Sequence, residues 1–248
     1  MKICVAIPVT TPREALEMAA RAREAGAGLV EFRWDYCEEF RQGGVDLAPF
    51  LEFPLPKVFT YRKASEGGRD PDVKERDRRE VLLDFVRTGV DWVDVETSTG
   101  PEFLREVTAL AKERGTGLVY SWHDFEGTPR PGVLRAKLRE AEAAWRSVEG
   151  AVDAGSNGKN REPRFLAKLV TTARRFEDNV TVLEFCKEAS ERGVPVAAFC
   201  MGELGALSRV LCLACGSRLT YASIGEATAP GQASIGALRA ALRLLDLK

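Results

Sequence analysis

Eight β-rich runs, each followed by an amphipathic helical run, predict an α/β chain folded as a closed (β/α)8 (TIM) barrel, a single domain over residues 1–248. Three observations carry this. Hydrophobic patterning switches between period 2 and period 3.6 from one end of the chain to the other. No break in composition divides it. Eight parallel strands in about 250 residues also exceed the usual content of a doubly wound sheet.

The first run, 2 to 8, is followed from Pro12 by charged, helix-patterned residues, so it reads as a strand and not as a signal peptide. Further strands are expected over 28 to 34, 57 to 62, 92 to 97, 117 to 123, 165 to 171, 195 to 201 and 219 to 224. The helical patterns cover 12 to 25, a short piece near 46 to 52, 73 to 89, 101 to 114, 131 to 147, 176 to 192, 203 to 215 and 233 to 246. The run Lys74 to Glu80 mixes both charge signs at helical spacing and reads as a solvated helix face. Between the fifth helix and the sixth strand, a stretch near 150–163 is polar and rich in Gly and Asn, which marks a loop insertion.

Composition narrows the function. With 36 Lys+Arg against 37 Asp+Glu the net charge is -1, so the chain lacks the basic excess that holds nucleic acid or an anionic membrane surface. The longest apolar stretches, such as 194 to 201, fall far short of a membrane span, and a cytoplasmic location is expected. The six cysteines are scattered through apolar surroundings. They read as buried reduced thiols, Cys212 and Cys215 included. His123 is the one histidine, which excludes a zinc site built from several imidazoles, and no metal is expected.

Strand parity then sorts the polar residues. Positions i and i+2 share a face, so if Phe32 and Trp34 face the helices, Glu31 and Arg33 face the barrel axis. The same rule sends Phe59 and Tyr61 outward and Thr60 and Arg62 inward. It also places Asp94, Glu96, Ser121 and His123 inside, and the sixth strand adds Lys168. A barrel interior is normally filled by branched apolar side chains. So many ionisable groups at the C-terminal ends of the strands imply a polar pocket, against the alternative of a closed ion-pair network without chemistry.

Lys168 lies well inside an apolar β-run. Burial beside other cations would favour its neutral amine, a nucleophile for a carbonyl carbon. His123 can take and return a proton near neutral pH. Arg33, Arg62 and Arg209 can all reach the mouth, which suits an anionic substrate bearing a carbonyl.

These residues fall within an ordered set of motifs. They are Val30-Glu-Phe-Arg-Trp-Asp35, Phe59-Thr-Tyr-Arg-Lys-Ala-Ser-Glu-Gly-Gly68, Ser121-Trp-His-Asp-Phe125 with Thr128-Pro129, Met201-Gly with Leu207-Ser-Arg209, and Ala229-Pro-Gly-Gln232. Together they resemble the type I 3-dehydroquinate dehydratases. The resemblance implies a (β/α)8 barrel of the shikimate pathway, commonly a homodimer, with no cofactor and with the small molecule 3-dehydroquinate as substrate. It implies Lys168 as the Schiff-base lysine, His123 as the acid and base, and Glu66 as the carboxylate orienting His123. Glu31 and Arg33 would contact ring hydroxyls, Arg62 would bind substrate, Arg209 would pair with its carboxylate, and Gln232 would complete the mouth. Thr228 stands where relatives usually have Ser and keeps the hydroxyl. Lys159 is a formal rival to Lys168, but it lies in the polar insertion and lacks flanking strand residues. A class I aldolase would share the barrel and the imine, yet phosphorylated aldolase substrates call for a Gly-rich phosphate cup. Here those positions hold Met201-Gly-Glu203 and Ile224-Gly-Glu226.

Overall fold

The computed structural model describes residues 3–41, 45–148, 164–225 and 227–247. Its strands are β1 (Ile3–Pro8), β2 (Leu29–Arg33), β3 (Lys57–Thr60), β4 (Trp92–Glu96), β5 (Gly117–His123), β6 (Phe165–Thr172), β7 (Val196–Met201) and β8 (Thr220–Ala222). All are parallel, in the order β7-β6-β5-β4-β3-β2-β1-β8. At the seam the Arg218 N–H donates to the Val196 carbonyl at 2.8 Å, and the barrel is nearly closed.

The helices are α1 (Pro12–Glu24), α2 (Glu38–Arg41), α3 (Ala48–Leu51), α4 (Glu75–Arg87), α5 (Pro101–Arg114), α6 (Pro131–Arg146), α7 (Phe176–Glu191), α8 (Ala206–Leu211) and α9 (Ile235–Leu244). Local chemistry sets many of their ends. Thr11 caps α1 by accepting from the Glu14 N–H, with Pro12 in the first turn, and Gly115 ends α5 in the left-handed region. Ala15, Ala19 and Ala22 form the buried stripe of α1, small enough to bring that helix close to the sheet.

Strand parity holds around the barrel. Phe32, Trp34, Phe59, Tyr61, Val93, Val95 and Tyr120 join the core between sheet and helices. Inside the barrel, Cys4, Leu29, Val58, Val119, Leu166, Ala197 and Leu219 make an apolar plug toward the N-terminal ends of the strands. The charges lie above it. The short second helix expected near 46 to 52 is present as α3, and a further short piece, α2, precedes it. Phe50 of α3 packs edge-on to Phe32 at 4.9 Å and to Trp34 at 4.7 Å. The last strand is also shorter, since Ser223 turns away to bridge with Ser234 ahead of α9.

One reading is corrected. The charged run 74 to 80 is not a solvated face throughout, because Arg78 is 0% exposed and points inward from α4. The expected insertion near 150–163, with Lys159, lies outside the described residues.

Candidate active site

Register brings the inward residues of β3 to β6 together. Thr60 aligns with Asp94, Glu96 with Ser121, and Ser121 with Lys168, so one rim collects side chains far apart in sequence. Above them opens a cavity of about 320 Å³. All nine residues expected to form the site line it: Lys168, His123, Glu66, Glu31, Arg33, Arg62, Arg209, Thr228 and Gln232.

Lys168 is buried, and its Nζ lies 3.2 Å from Asp94 Oδ2, 3.4 Å from Glu31 Oε2 and 4.2 Å from the centre of the Tyr221 ring. A cation does lie close by, because Arg62 Nη2 and Lys168 Nζ share Asp94 Oδ2, at 2.8 and 3.2 Å. Carboxylates are nonetheless its nearest charged partners. The Arg62 guanidinium is tied on the same side. It donates to Asp94 at 2.8 Å, to Glu96 at 2.9 Å and to the Ser121 hydroxyl at 2.6 Å. Burial alone would raise the Asp94 and Glu31 carboxyls. The cations outweigh it, with Arg62 dominant for Asp94 and Lys168 for Glu31, and hold both below their ordinary range.

His123 ends β5, its Nδ1 3.0 Å from Glu66 Oε2, the oxygen that also accepts from its backbone N–H at 3.0 Å. Ser98 donates to the other Glu66 oxygen at 2.6 Å. Burial, reinforced by Arg62 and Lys168, pushes the imidazole well below its usual value. It is therefore neutral at neutral pH. With Nδ1–H donated to Glu66, the lone pair falls on Nε2. Burial also raises the Glu66 carboxyl, with the Ser98 hydrogen bond and the Arg62 charge opposing.

Glu66 sits in a tight turn over 64 to 66, followed by Gly67 at φ 84°. That left-handed φ favours glycine, and the tip of the Phe125 ring occupies the space a Cβ would take, 2.6 Å away. Arg33 is less available than expected. It forks onto Asp35 at 2.8 and 2.7 Å and reaches the Gly67 carbonyl at 3.1 Å.

The opposite side is different in kind. Arg209, from α8, is 2% exposed, and among the described residues its Nε and Nη2 have no hydrogen-bond partner. Its guanidinium lies 4.8 Å from the centre of the Phe199 ring, and burial lowers its pKa to about 10. An isolated buried cation costs several kcal/mol, so this position asks for an anion in the cavity. Beside it, Gln232 accepts from the Thr228 N–H at 2.9 Å and its hydroxyl at 3.1 Å, and donates to the Ala222 carbonyl at 3.1 Å. Gly231 makes this loop possible. At φ 67°, its Cβ position would fall 2.1 Å from the Gly202 oxygen of the neighbouring loop.

Parity could have found two further lining residues, Tyr221 and Phe199, which share faces with Leu219 and Met201. Asp35 and Ser98 lie in turns, where no period applies. Among the described residues, no group of three or more His, Cys, Asp or Glu is arranged to hold a metal, and no helix is long and apolar enough to cross a membrane.

The family model for type I 3-dehydroquinase matches residues 3–145 and 165–248, on either side of the polar stretch. The 3-dehydroquinate dehydratase of Desulfotalea psychrophila is 34% identical over 241 residues, covering 96% of this chain and 95% of the relative. That of Shouchella clausii is 36% identical over 251 residues, covering 98% and 91%. Among solved structures, 3-dehydroquinate dehydratase from Geobacillus kaustophilus superposes with a TM-score of 0.84 at 28% identity, covering 99% of this chain and 91% of that one. The type I enzyme from Clostridium difficile, solved with covalently modified comenic acid, superposes with a TM-score of 0.81 at 25% identity, covering 98% and 91%.

Proposed function

The chain belongs to the type I 3-dehydroquinase family, hydro-lyases of the shikimate pathway that act on 3-dehydroquinate, and from that premise we propose that Lys168 carries the dehydration through a Schiff base. The observation that supports this most directly is a buried lysine at the floor of the cavity, beside a neutral imidazole and opposite a guanidinium with two donors unpartnered among the described residues.

In this reading Arg209 binds the substrate carboxylate and so fixes which end of the ring meets Lys168. Glu31 and Arg33 meet ring hydroxyls, Arg62 acts mainly by holding Asp94 and Glu96 in place, and Thr228 with Gln232 shapes the mouth. Lys168 reacts as its free amine. Its nitrogen adds to the ketone carbon, and loss of water leaves an iminium. The iminium withdraws electrons from the neighbouring carbon, whose proton His123 takes on Nε2, giving an enamine. The enamine pair returns and expels the ring hydroxyl, which receives the proton from His123 and departs as water. Hydrolysis of the imine frees 3-dehydroshikimate and restores the amine, for a net loss of one water. Glu66 keeps the imidazole in one tautomer and stabilises its charged form.

Borohydride added to the protein with 3-dehydroquinate should reduce the imine, and peptide mass spectrometry should find the adduct on Lys168. An unmodified chain, or a label on Lys159, overturns the assignment. His123→Ala should still form the adduct while turnover falls by about 10²- to 10⁴-fold; near-normal turnover removes His123 from the mechanism. The same reading includes a cytoplasmic homodimer, which sedimentation of the purified protein tests for its oligomeric part.

A further inference from the structure

Arg78 is a fully buried guanidinium outside the barrel, on a helix that does not touch the cavity. Away from a ligand cavity such a group needs its donors matched, and here they are. Nη1 donates to Glu96 Oε2 at 2.7 Å and to the Tyr61 carbonyl at 3.1 Å. Nη2 reaches Thr99 Oγ1 and Glu75 Oε1, both at 2.9 Å, and Nε reaches Glu75 Oε2 at 3.0 Å. The other oxygen of Glu96 accepts from Arg62 at 2.9 Å and from the Lys63 N–H at 3.0 Å. Charges therefore alternate from the helix surface to the cavity floor: Glu75, Arg78, Glu96, Arg62, Asp94, Lys168. No step between charged atoms exceeds 3.2 Å.

We infer that Arg78 is a positioning residue for the active site: by holding one oxygen of Glu96 it fixes how Arg62 is shared between Glu96 and Asp94, and so the charge that frames Lys168 and His123. Without it, the uncompensated Glu96 would draw Arg62 toward itself and away from Asp94. The group that reads this out is His123. It is faced by Arg62 and Glu66 from the segment after β3, by Asp94 and Glu96 from β4, and by Lys168 from β6. Removing the positive charge of Arg78 leaves more negative potential at the imidazole, which favours its protonated form. Removing the negative charge of Glu75 does the reverse.

This rests on the reading of Lys168 and His123 given above for its catalytic consequence, but its test does not. His123 is the chain's one histidine, so a titration of ¹⁵N-labelled histidine followed by NMR reports it alone, without substrate or imine. Arg78→Leu should move its midpoint upward by about half a pH unit or more, and Glu75→Gln should move it downward. Arg78→Lys, which restores a cation near Glu96 without the fork onto Glu75, should return the midpoint toward wild type. In turnover, kcat of Arg78→Leu should fall about tenfold or more with KM nearly unchanged. A purely structural role would lower stability in all three variants and leave the His123 midpoint in place. A wild-type midpoint in a folded Arg78→Leu, or equal shifts in the same direction for Arg78→Leu and Glu75→Gln, overturns the inference. Should Arg78→Leu fail to fold, an unchanged midpoint in Glu75→Gln, whose side chain is 35% exposed, overturns it alone. Borohydride trapping at wild-type Lys168 separately decides the catalytic reading.

Discussion

Two buried arginines face the same cavity from opposite sides and live under opposite rules. Arg62 is surrounded by Asp94, Glu96 and Ser121, and against the effect of burial the carboxylates of Asp94, Glu96 and Glu31 hold its pKa well above the ordinary value. Arg209 has a phenylalanine ring beside it and, among the described residues, two donor atoms without partners, and burial pulls it down to about 10. The first side of the pocket is electrostatically complete before substrate arrives; the second awaits an anion. Burial of a charge does not by itself mark a binding residue. The informative property is whether the protein has already neutralised it.

The contrast can be broken by removing each guanidinium. Arg62→Leu leaves Asp94 and Glu96 facing each other without their shared cation, so stability measured by urea denaturation should fall by about 3–5 kcal/mol. Arg209→Leu should leave stability equal to or above wild type, because an unpaired buried charge is replaced by an apolar side chain. Its defect should lie in substrate binding, with kcat/KM lower by roughly 10²-fold, equivalent to about 2.7 kcal/mol. If the two variants exchange these phenotypes, the division of labour between the two sides is wrong.

A smaller effect sharpens the comparison through pH. His123 is held neutral in the folded chain, while the unfolded chain takes up a proton near 6.5, so the unfolded state binds more protons below that pH. Stability should therefore fall as pH drops from about 6.5, by at most about 1.4 kcal/mol per unit for this one group. Asp94 and Glu31, also depressed, add their loss only below about pH 4, as the unfolded carboxylates protonate first. In His123→Ala the slope between pH 6.5 and 4.5 should flatten. An unchanged slope in denaturation curves would show that another group controls it.

Much of this site was legible along the chain, for a physical reason. Parity on a strand is set by covalent geometry and needs no knowledge of neighbours, so the inward course of Glu31, Arg33, Asp94, Glu96, His123 and Lys168 follows from apolar residues one position away. The alternation of periods likewise fixes the order of strands and helices, and Thr11 and Pro12 mark the start of α1. The family motifs carried Glu66, Arg209, Thr228 and Gln232, which lie in turns or on a short helix where periodicity is silent.

What the chain alone did not determine is which charge neutralises which. Lys168 meets Glu31 across 137 positions and Asp94 across 74, and the barrel's register decides those meetings. Parity and burial put Lys168 near a cation, Arg62, but the two carboxylates that lie closer still come from the register. Arg78, in a run with the look of a solvated helix face, is buried because Glu96 and Thr99 lie opposite it on β4 and the turn that follows. Direction in or out of a strand is a local property of the backbone. Coulombic partnership falls off over a few ångströms of space, and only the folded barrel sets those distances.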